Sequence, residues 1–262
     1  MRIALIQTDV FPTLEETFSQ ISKLVEETPS GLYLLTEVFS TGFCFSLPDI
    51  AHKNSGDDVV DRLQVICVEK NCCFIGGILV EENGKYYNRV VIVDKRGLIA
   101  TYDKYHLYRL GCEDSLVNGS KRVIFKYQGI RMLIVICYDL RFPAFIRYSE
   151  TNDYDIIINP INYGEKVFQI ADHFAAARAL ENSAWIFCTN RIGKDGLGIT
   201  YKGKSFVYNH LGIKVAEAGE KCEAISVNFH KKEVEEYRRK IGFGENFDKF
   251  NFEKEFETVV VE

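Results

Sequence analysis

Leu133-Ile134-Val135-Ile136-Cys137-Tyr138-Asp139-Leu140-Arg141-Phe142-Pro143 is the most informative run of the chain. Its first four residues form a wholly apolar stretch, the pattern of a buried strand. Asp139 and Arg141 then break the apolar run, and Pro143 suits the first turn of a helix, so the chain turns sharply just after Cys137. A thiol at such a turn faces helix N-terminal N–H groups, which favour the thiolate, the form that attacks electrophiles. The Tyr138 N–H, freed by the turn, is placed to point at a developing oxyanion. The plainer reading makes Cys137 one more small buried hydrophobe. This stretch alone leaves both readings open.

Working outward, residues 2–8 read as a buried strand, and Thr13 with Glu16 form a capping-box pattern that opens a helix with Leu14, Phe18, Ile21 and Val25 on its apolar face. Pro29 and Gly31 stop that helix before a second strand at 32–35. A helix over 57–70 and an apolar strand over 72–80 repeat the unit. Hairpin-like pieces follow at 86–94 and 98–102, joined by a Lys95-Arg96-Gly97 turn, and at 123–127 and 131–136. Alternation resumes with helix 144–150 into strand 155–159, then helix 167–182 into strand 185–189. Strands at 204–208, 214–216 and 223–229, a charged helix over 231–240 and a polar tail complete the chain. Strands feeding helices at both ends, with hairpins between, predict an α/β fold. Its two mixed sheets stack face to face with helices outside, a four-layer α-β-β-α sandwich. No linker or repeat divides the sequence, so residues 1–262 are expected to form one domain, with a C-terminal helix and tail from about 230.

Charge and composition exclude several classes. With 32 basic and 37 acidic residues the formal net charge is −5, and no Lys/Arg stripe tracks a phosphate backbone, so nucleic acid is not an expected partner. The longest apolar runs, such as 132–137 and 156–158, are interrupted far short of the ~20 residues that span a bilayer, and so is the strand at 72–80. The N-terminal apolar stretch is broken by Gln7 and Asp9 before it reaches the length of a secretory signal, so cytoplasmic residence is expected. Eight cysteines in 262 residues are too few for a disulfide scaffold, and reduced thiols are expected. No C-x-x-C pair occurs, and His106, His173, His210 and His230 lack metal-ligand spacing, so no metal is expected. Ile75-Gly76-Gly77-Ile78 lacks the spacing of a dinucleotide fingerprint and no P-loop is present, so no nucleotide cofactor is expected either.

Two other strand ends carry chemistry. Glu37 lies just past strand 32–35, where burial raises a carboxyl pKa toward that of a working general base. A satisfied strand-end glutamate is the alternative. Lys104 follows another strand in Tyr102-Asp103-Lys104-Tyr105-His106-Leu107, where its ammonium suits an oxyanion or a pairing with Glu37, unless it is simply solvated. The three groups stand 67 and 33 residues apart, each delivered by the end of a strand.

Glu37 in E-V-F-S-T-G-F, Lys104 in K-Y-H-L-Y and Cys137 in C-Y-D-L-R-F-P resemble the three signature blocks of the nitrilase superfamily, carbon–nitrogen hydrolases with a Glu-Lys-Cys triad. Asn159-Pro160-Ile161-Asn162, Ala177-Arg178-Ala179-Leu180-Glu181-Asn182 and Thr189-Asn190-Arg191-Ile192-Gly193 look like its later blocks, so the resemblance spans nearly the whole chain. It implies the same four-layer sandwich, dimerised so that the sandwich continues across the interface. K-Y-H-L-Y-R-L, C-Y-D-L-R-F-P and N-R-I-G-K-D-G-L-G together look most like the ω-amidase branch, which hydrolyses the terminal amide of 2-oxo acid amides such as 2-oxoglutaramate. Thr36 stands where the family often has Pro, Tyr163 where it has Trp, and Ala171 where many members carry Trp, departures that fall around the acyl pocket rather than in the triad.

By that resemblance Cys137 is the nucleophile, Glu37 the general base and Lys104, with the Tyr138 N–H, the oxyanion site, a thioester being the intermediate. Glu113, nine residues past Lys104, matches a second glutamate found in many members, or else is a loop carboxylate. A 2-oxo acid amide brings its own carboxylate, for which Arg141 is the first candidate, with a salt bridge to Asp139 or a place on a helix surface as the alternative. Phe43, Tyr108, Asn162 and Tyr163 are candidate pocket residues, although aromatics also serve as core. Arg178 with Glu181, and Arg191, read as structural ion-pair residues. The expected partner is a small-molecule amide, with neither nucleic acid nor membrane involved. Other C–N substrates (an aliphatic amide, an N-carbamoyl amine, a nitrile) and a catalytically silent binding module are the competing readings.

Overall fold

The computed structural model describes residues 1–110, 112–149, 153–244 and 257–262. The chain opens with β1 (Arg2–Gln7), α1 (Leu14–Glu27) and β2 (Leu32–Leu34), a parallel pair linked by a crossover helix. The α1 start is as its sequence dictates: Thr13 Oγ1 accepts from Glu16 N while Glu16 Oε2 accepts from Thr13 N, each at 3.2 Å. A single turn α2 (Leu47–Ile50) precedes α3 (Asp57–Lys70), which feeds β3 (Cys73–Glu82), itself parallel to β2. β4 (Lys85–Asp94) and β5 (Gly97–Asp103) continue as an antiparallel meander. β5 therefore runs in the same direction as β2, and their carboxyl ends reach the same edge of the sheet.

The second sheet is built from β6 (Lys121–Tyr127), β7 (Ile130–Ile134), then, after the short helix α4 (Pro143–Ile146), β8 (Ile156–Pro160). Helix α5 (Phe168–Asn182) leads to β9 (Trp185–Thr189), which is parallel to β8 as β8 is to β7. A separate hairpin, β10 (Ile192–Lys194) with β11 (Thr200–Lys202), stands off the sheet, and β12 (Phe206–Tyr208) and β13 (Lys214–Glu217) extend it. β14 (Glu223–Asn228) returns to pair antiparallel with β1. After α6 (Lys231–Lys240), β15 (Glu257–Val261) pairs parallel with β6. Among the described residues the two large sheets read β14-β1-β2-β3-β4-β5 and β13-β12-β9-β8-β7-β6-β15.

Period-two alternation assigns each strand residue to one of two cores. In the first sheet, Ile3, Leu5, Leu32, Leu34, Ile75, Val90 and Ile92 fall in one core cluster with the second sheet's Ile124, Leu133, Ile134, Ile157 and Phe187. Ala4, Ile6, Tyr33, Leu35, Phe74, Val91 and Val93 face the other way, onto Phe18, Ile21 and Val25 of α1 and Val60 and Leu63 of α3. Ala171, Ala175 and Ala179 bring α5 against the outer face of the second sheet, small side chains permitting a close approach. The α-β-β-α layering expected from the sequence is the fold observed.

Two departures stand out. The tail was expected to be polar, yet it ends in the β-branched run Thr258–Val261, which forms most of β15. Residues 192–202, to which the sequence reading assigned no element, make the standing hairpin. Helix 144–150 contracts to one turn; its expected end, Glu150, lies outside the described residues, as does much of the expected tail.

Candidate active site

The carboxyl ends of β2, β5 and β7 converge where the sheets meet, as open α/β sheets place their ligand sites. Glu37 lies three residues past β2, in a segment that β3 continues to hold: Leu35 N donates to Ile75 O at 2.9 Å, Gly77 N to Thr36 O at 3.0 Å and Phe39 N to Gly77 O at 2.9 Å. Gly77 is required here by close approach, since a Cβ at that position would sit 2.8 Å from Glu37 Cα and 3.0 Å from Val38 N. Lys104 follows β5 directly, and its N–H donates to Asn88 O of β4 at 2.9 Å. Cys137 begins a short 3₁₀ turn, Cys137–Arg141, three residues past the end of β7, with φ +44°, a conformation few non-glycine residues adopt.

The polar groups meet in a buried cluster. Lys104 Nζ donates to Glu37 Oε1 at 2.8 Å and to Glu113 Oε1 and Oε2 at 3.0 and 2.9 Å. Asn88 Nδ2 donates to the same two Oε1 atoms, at 2.8 Å to Glu37 and 2.7 Å to Glu113. Glu113 Oε2 also accepts from Tyr108 N at 2.6 Å. Glu37 is 1%, Lys104 2%, Glu113 2% and Asn88 0% exposed, so the cluster is closed from bulk water apart from the cavity it borders. Glu37 Oε2 has no hydrogen-bond partner.

Burial sets the proton affinities. It pushes the Glu37 carboxyl above its ordinary range, and the nearby Glu113 charge adds to this against the opposing pull of Lys104. Burial disfavours the Lys104 ammonium, but the Glu113 and Glu37 charges outweigh it and hold its pKa well above the usual lysine value. Burial and the Glu37 charge likewise raise Cys137 well above an ordinary thiol, against smaller opposing contributions from Lys104 and the Asn162 N–H. The thiolate expected from helix N-terminal dipoles is therefore not the resting form. A single 3₁₀ turn supplies too little field to offset desolvation, so the thiol needs a base when it reacts.

The turn that presents Cys137 is itself held from below. Cys137 N donates to Asn159 Oδ1 at 2.6 Å, and the first bond within the turn runs from Asp139 N to Ile136 O at 2.9 Å. Tyr138 N lies between these two and precedes the first intrahelical donor, which makes it a free N–H of a helix start. Asp139, fully buried, accepts from Ile136 N and Tyr102 OH on Oδ2 at 2.9 and 2.7 Å, and from His106 N and Nδ1 on Oδ1 at 2.9 and 2.8 Å.

A cavity of about 540 Å³ opens above the thiol, and every candidate catalytic and pocket residue named from the sequence lines it. Glu37, Lys104, Glu113 and Cys137 lie at its base; Tyr138, Arg141, Phe43, Tyr108, Asn162 and Tyr163 form its walls. Glu113 is part of the buried cluster and not a loop carboxylate. The salt bridge of Arg141 to Asp139 is overturned, because the Asp139 oxygens are taken by the four donors above. Arg141 instead spreads over the Tyr138 and Phe174 rings, 5.5 and 5.4 Å from their centroids. Asn162 offers both carboxamide atoms, buried and without partners. The structural ion pairs are present: Arg178 to Glu181 at 3.0 Å and Arg191 to Asp9 at 2.7 Å.

Sequence reasoning missed Asn88 and the hairpin. Residues 197–201, at the tip and second strand of β10–β11, form one cavity wall, organised by Asp195, which accepts from Leu197 N, Ile199 N and the Tyr201 hydroxyl at 3.0, 2.9 and 2.7 Å. The glycines at 193, 196 and 198 flanking Asp195 were the available turn signal.

A shielded thiol beside a carboxylate and an ammonium, on a stacked pair of sheets, is equipped for acyl transfer. The chain belongs to the carbon–nitrogen hydrolase family, whose sequence profile matches residues 2–239. It is 32% identical over 225 residues, 85% of this chain and 86% of the relative, to the omega-amidase YafV of Escherichia coli strain K12. To the 2-oxoglutaramate amidase of Bacillus subtilis strain 168 it is 26% identical over 222 residues, 82% and 84% of the two chains. The crystal structure of XC1258 from Xanthomonas campestris, a CN-hydrolase superfamily protein with an arsenic adduct in its active site, superposes with a TM-score of 0.89 at 25% identity, covering 95% of this chain and 98% of that one. The protein is thus a hydrolase of carbon–nitrogen bonds. No helix among the described residues is long and apolar enough to cross a membrane.

Proposed function

We propose that the protein hydrolyses the terminal amide of a small 2-oxo acid amide, such as 2-oxoglutaramate or 2-oxosuccinamate, to the acid and ammonia through a thioester on Cys137. The observation that carries this reading is the unpartnered Glu37 Oε2 at the base of the same cavity as the Cys137 thiol, whose wall bears the exposed guanidinium of Arg141. The names of the bacterial omega-amidase and 2-oxoglutaramate amidase relatives support it.

In this mechanism Cys137 Sγ attacks the amide carbonyl carbon as its proton passes to Glu37 Oε2. The oxyanion is met by the Lys104 ammonium and the Tyr138 N–H. Glu37 returns the proton to the departing nitrogen, the C–N bond breaks, ammonia leaves and the acyl group remains on sulfur. Water then attacks the thioester, giving one proton to Glu37, and collapse of the second tetrahedral species releases the acid and the thiol, reprotonated by Glu37. A base whose pKa is raised toward neutrality suits both directions of transfer, and such acid–base help is worth on the order of 10² to 10⁴ in rate. Glu113 holds Lys104 in place, and Arg141 takes the substrate's own carboxylate.

The test is ammonia release from 2-oxoglutaramate, 2-oxosuccinamate, glutamine, an aliphatic amide and a simple nitrile, with mass spectrometry of acid-quenched enzyme. The expected result is turnover of the 2-oxo acid amides with an acyl adduct on Cys137, and neither turnover nor adduct in Cys137→Ala. Preference for the nitrile or the plain amide, or turnover by the alanine variant, would overturn it.

A further inference from the structure

Asn88 is an unusual residue for the middle of a buried strand, where asparagine is depleted. Its Oδ1 is buried without a hydrogen-bond partner, which disfavours folding and marks a group retained for what its other end does. That other end is fully engaged. The amide nitrogen has two hydrogens, and Nδ2 lies 2.8 Å from Glu37 Oε1 and 2.7 Å from Glu113 Oε1. Lys104 Nζ reaches the same two oxygens at 2.8 and 3.0 Å, so two donors and two acceptors close a ring. The Asn88 backbone carbonyl also accepts from Lys104 N at 2.9 Å, tying the ring to the strand end that carries the lysine.

We propose that Asn88 is a positioning residue for the hydrolysis: by bridging Glu37 and Glu113 it locks Glu37 Oε1 and makes Oε2 the oxygen that takes and returns the proton. The inference rests on Glu37 being the base of the proposed mechanism. A carboxylate held by one donor can rotate about its terminal bond and exchange its oxygens; one held by two donors from different strands cannot. The bridge also stabilises the charged form of Glu37. The other titratable groups facing Glu37 are Lys104, Glu113 and Cys137, with Cys112 and Tyr201 further out across the cavity. Of these only Lys104 is positively charged, and the amide adds a neutral donor against an otherwise acidic surround.

The experiment compares wild type, Asn88→Leu and Asn88→Asp. It follows the pH dependence of ammonia release and, without substrate, of Cys137 alkylation by iodoacetamide, read by peptide mass spectrometry. Leucine keeps the branching at Cγ and removes both donors; a protonated aspartic acid keeps one. The expected result for Asn88→Leu is kcat and alkylation lowered about 10- to 100-fold, KM within about threefold of wild type, and the acid limb of both profiles moved up by about one pH unit, with Asn88→Asp intermediate. Unchanged profiles would overturn the proposal. So would a loss of rate with the acid limb unmoved and aspartate no better than leucine, the pattern of mere structural damage. If Asn88→Leu does not fold, Asn88→Ser, whose short hydroxyl cannot bridge both carboxylates, is read by the same criteria. Absence of ammonia release from wild type on every amide would sink the functional reading instead, and alkylation would still decide the part played by Asn88.

Discussion

Replacing Asp139 by asparagine changes one atom and no volume, yet it strikes the support beneath the nucleophile. Each Asp139 oxygen accepts from one backbone N–H, His106 on Oδ1 and Ile136 on Oδ2, and from one side chain. A tyrosine hydroxyl can turn and a histidine can change tautomer, but a backbone N–H is always a donor. Whichever way the new amide faces, its NH₂ therefore meets a backbone N–H head-on in a site with no solvent. One buried unsatisfied N–H costs about 1–3 kcal/mol, and losing charge assistance on the remaining bonds brings the total to roughly 2–4 kcal/mol. At about 2–4 °C per kcal/mol for a chain near this size, Tm falls by about 5–15 °C. Because Ile136 immediately precedes Cys137, the repelled N–H also rotates the thiol, and misplacement by about 1 Å is worth on the order of 10² in turnover. Scanning calorimetry and ammonia release, run on the same preparation, test both figures. A Tm within experimental scatter of the parent would refute the donor count; a lowered Tm with full turnover would show that the carboxylate stabilises the turn without aiming the thiol.

Arg141→Met should raise KM for a 2-oxo acid amide about 10- to 100-fold, the worth of a charge-assisted hydrogen bond, while leaving an uncharged amide almost untouched; equal loss on both would remove Arg141 from carboxylate recognition. Because burial lifts the Glu37 pKa above its ordinary 4.5, the base is protonated and idle at pH values where a solvated glutamate would already be ionised. The acid limb of kcat/KM should accordingly lie above that value, and a Glu37→Gln variant should show no turnover at any pH; full activity well below pH 4.5 would contradict the shift. Gly77→Ala should lower both Tm and kcat, since its methyl meets the Glu37 backbone at 2.8 Å and backbone cannot step aside as a side chain can; wild-type kinetics would show that the segment yields.

What could be read from the residues was what local chemistry and order along the chain encode. Helix Asp57–Lys70 and strand Trp185–Thr189 fall where periodicity placed them, and the ends of β2, β5 and β7 deliver Glu37, Lys104 and Cys137. What stayed hidden depends on convergence between distant segments. Nothing around Asn88 announces that a β4 side chain will lie between carboxylates from positions 37 and 113. The partner of Thr258 is Arg122, 136 residues away, a parallel pairing that no turn signals, although the run of three valines was a fair hint of a strand. The pKa of Cys137 was misjudged because a sequence shows the turn that offers dipoles but not the depth of burial that outweighs them.

Val38 and Cys137 share a backbone feature, φ +43° and +44°, one residue after the carboxylate and at the thiol itself. Non-glycine residues in that region each carry a strain of order 1–3 kcal/mol, and Val38 is β-branched as well. Selection for heat resistance would find gain in relaxing either loop, and each relaxation would swing a reacting group off its line. Positions 38 and 137 are thus where thermal hardening and turnover pull in opposite directions, and a lineage moving to hotter surroundings must harden this enzyme elsewhere, in the helices and hairpins that never touch the substrate.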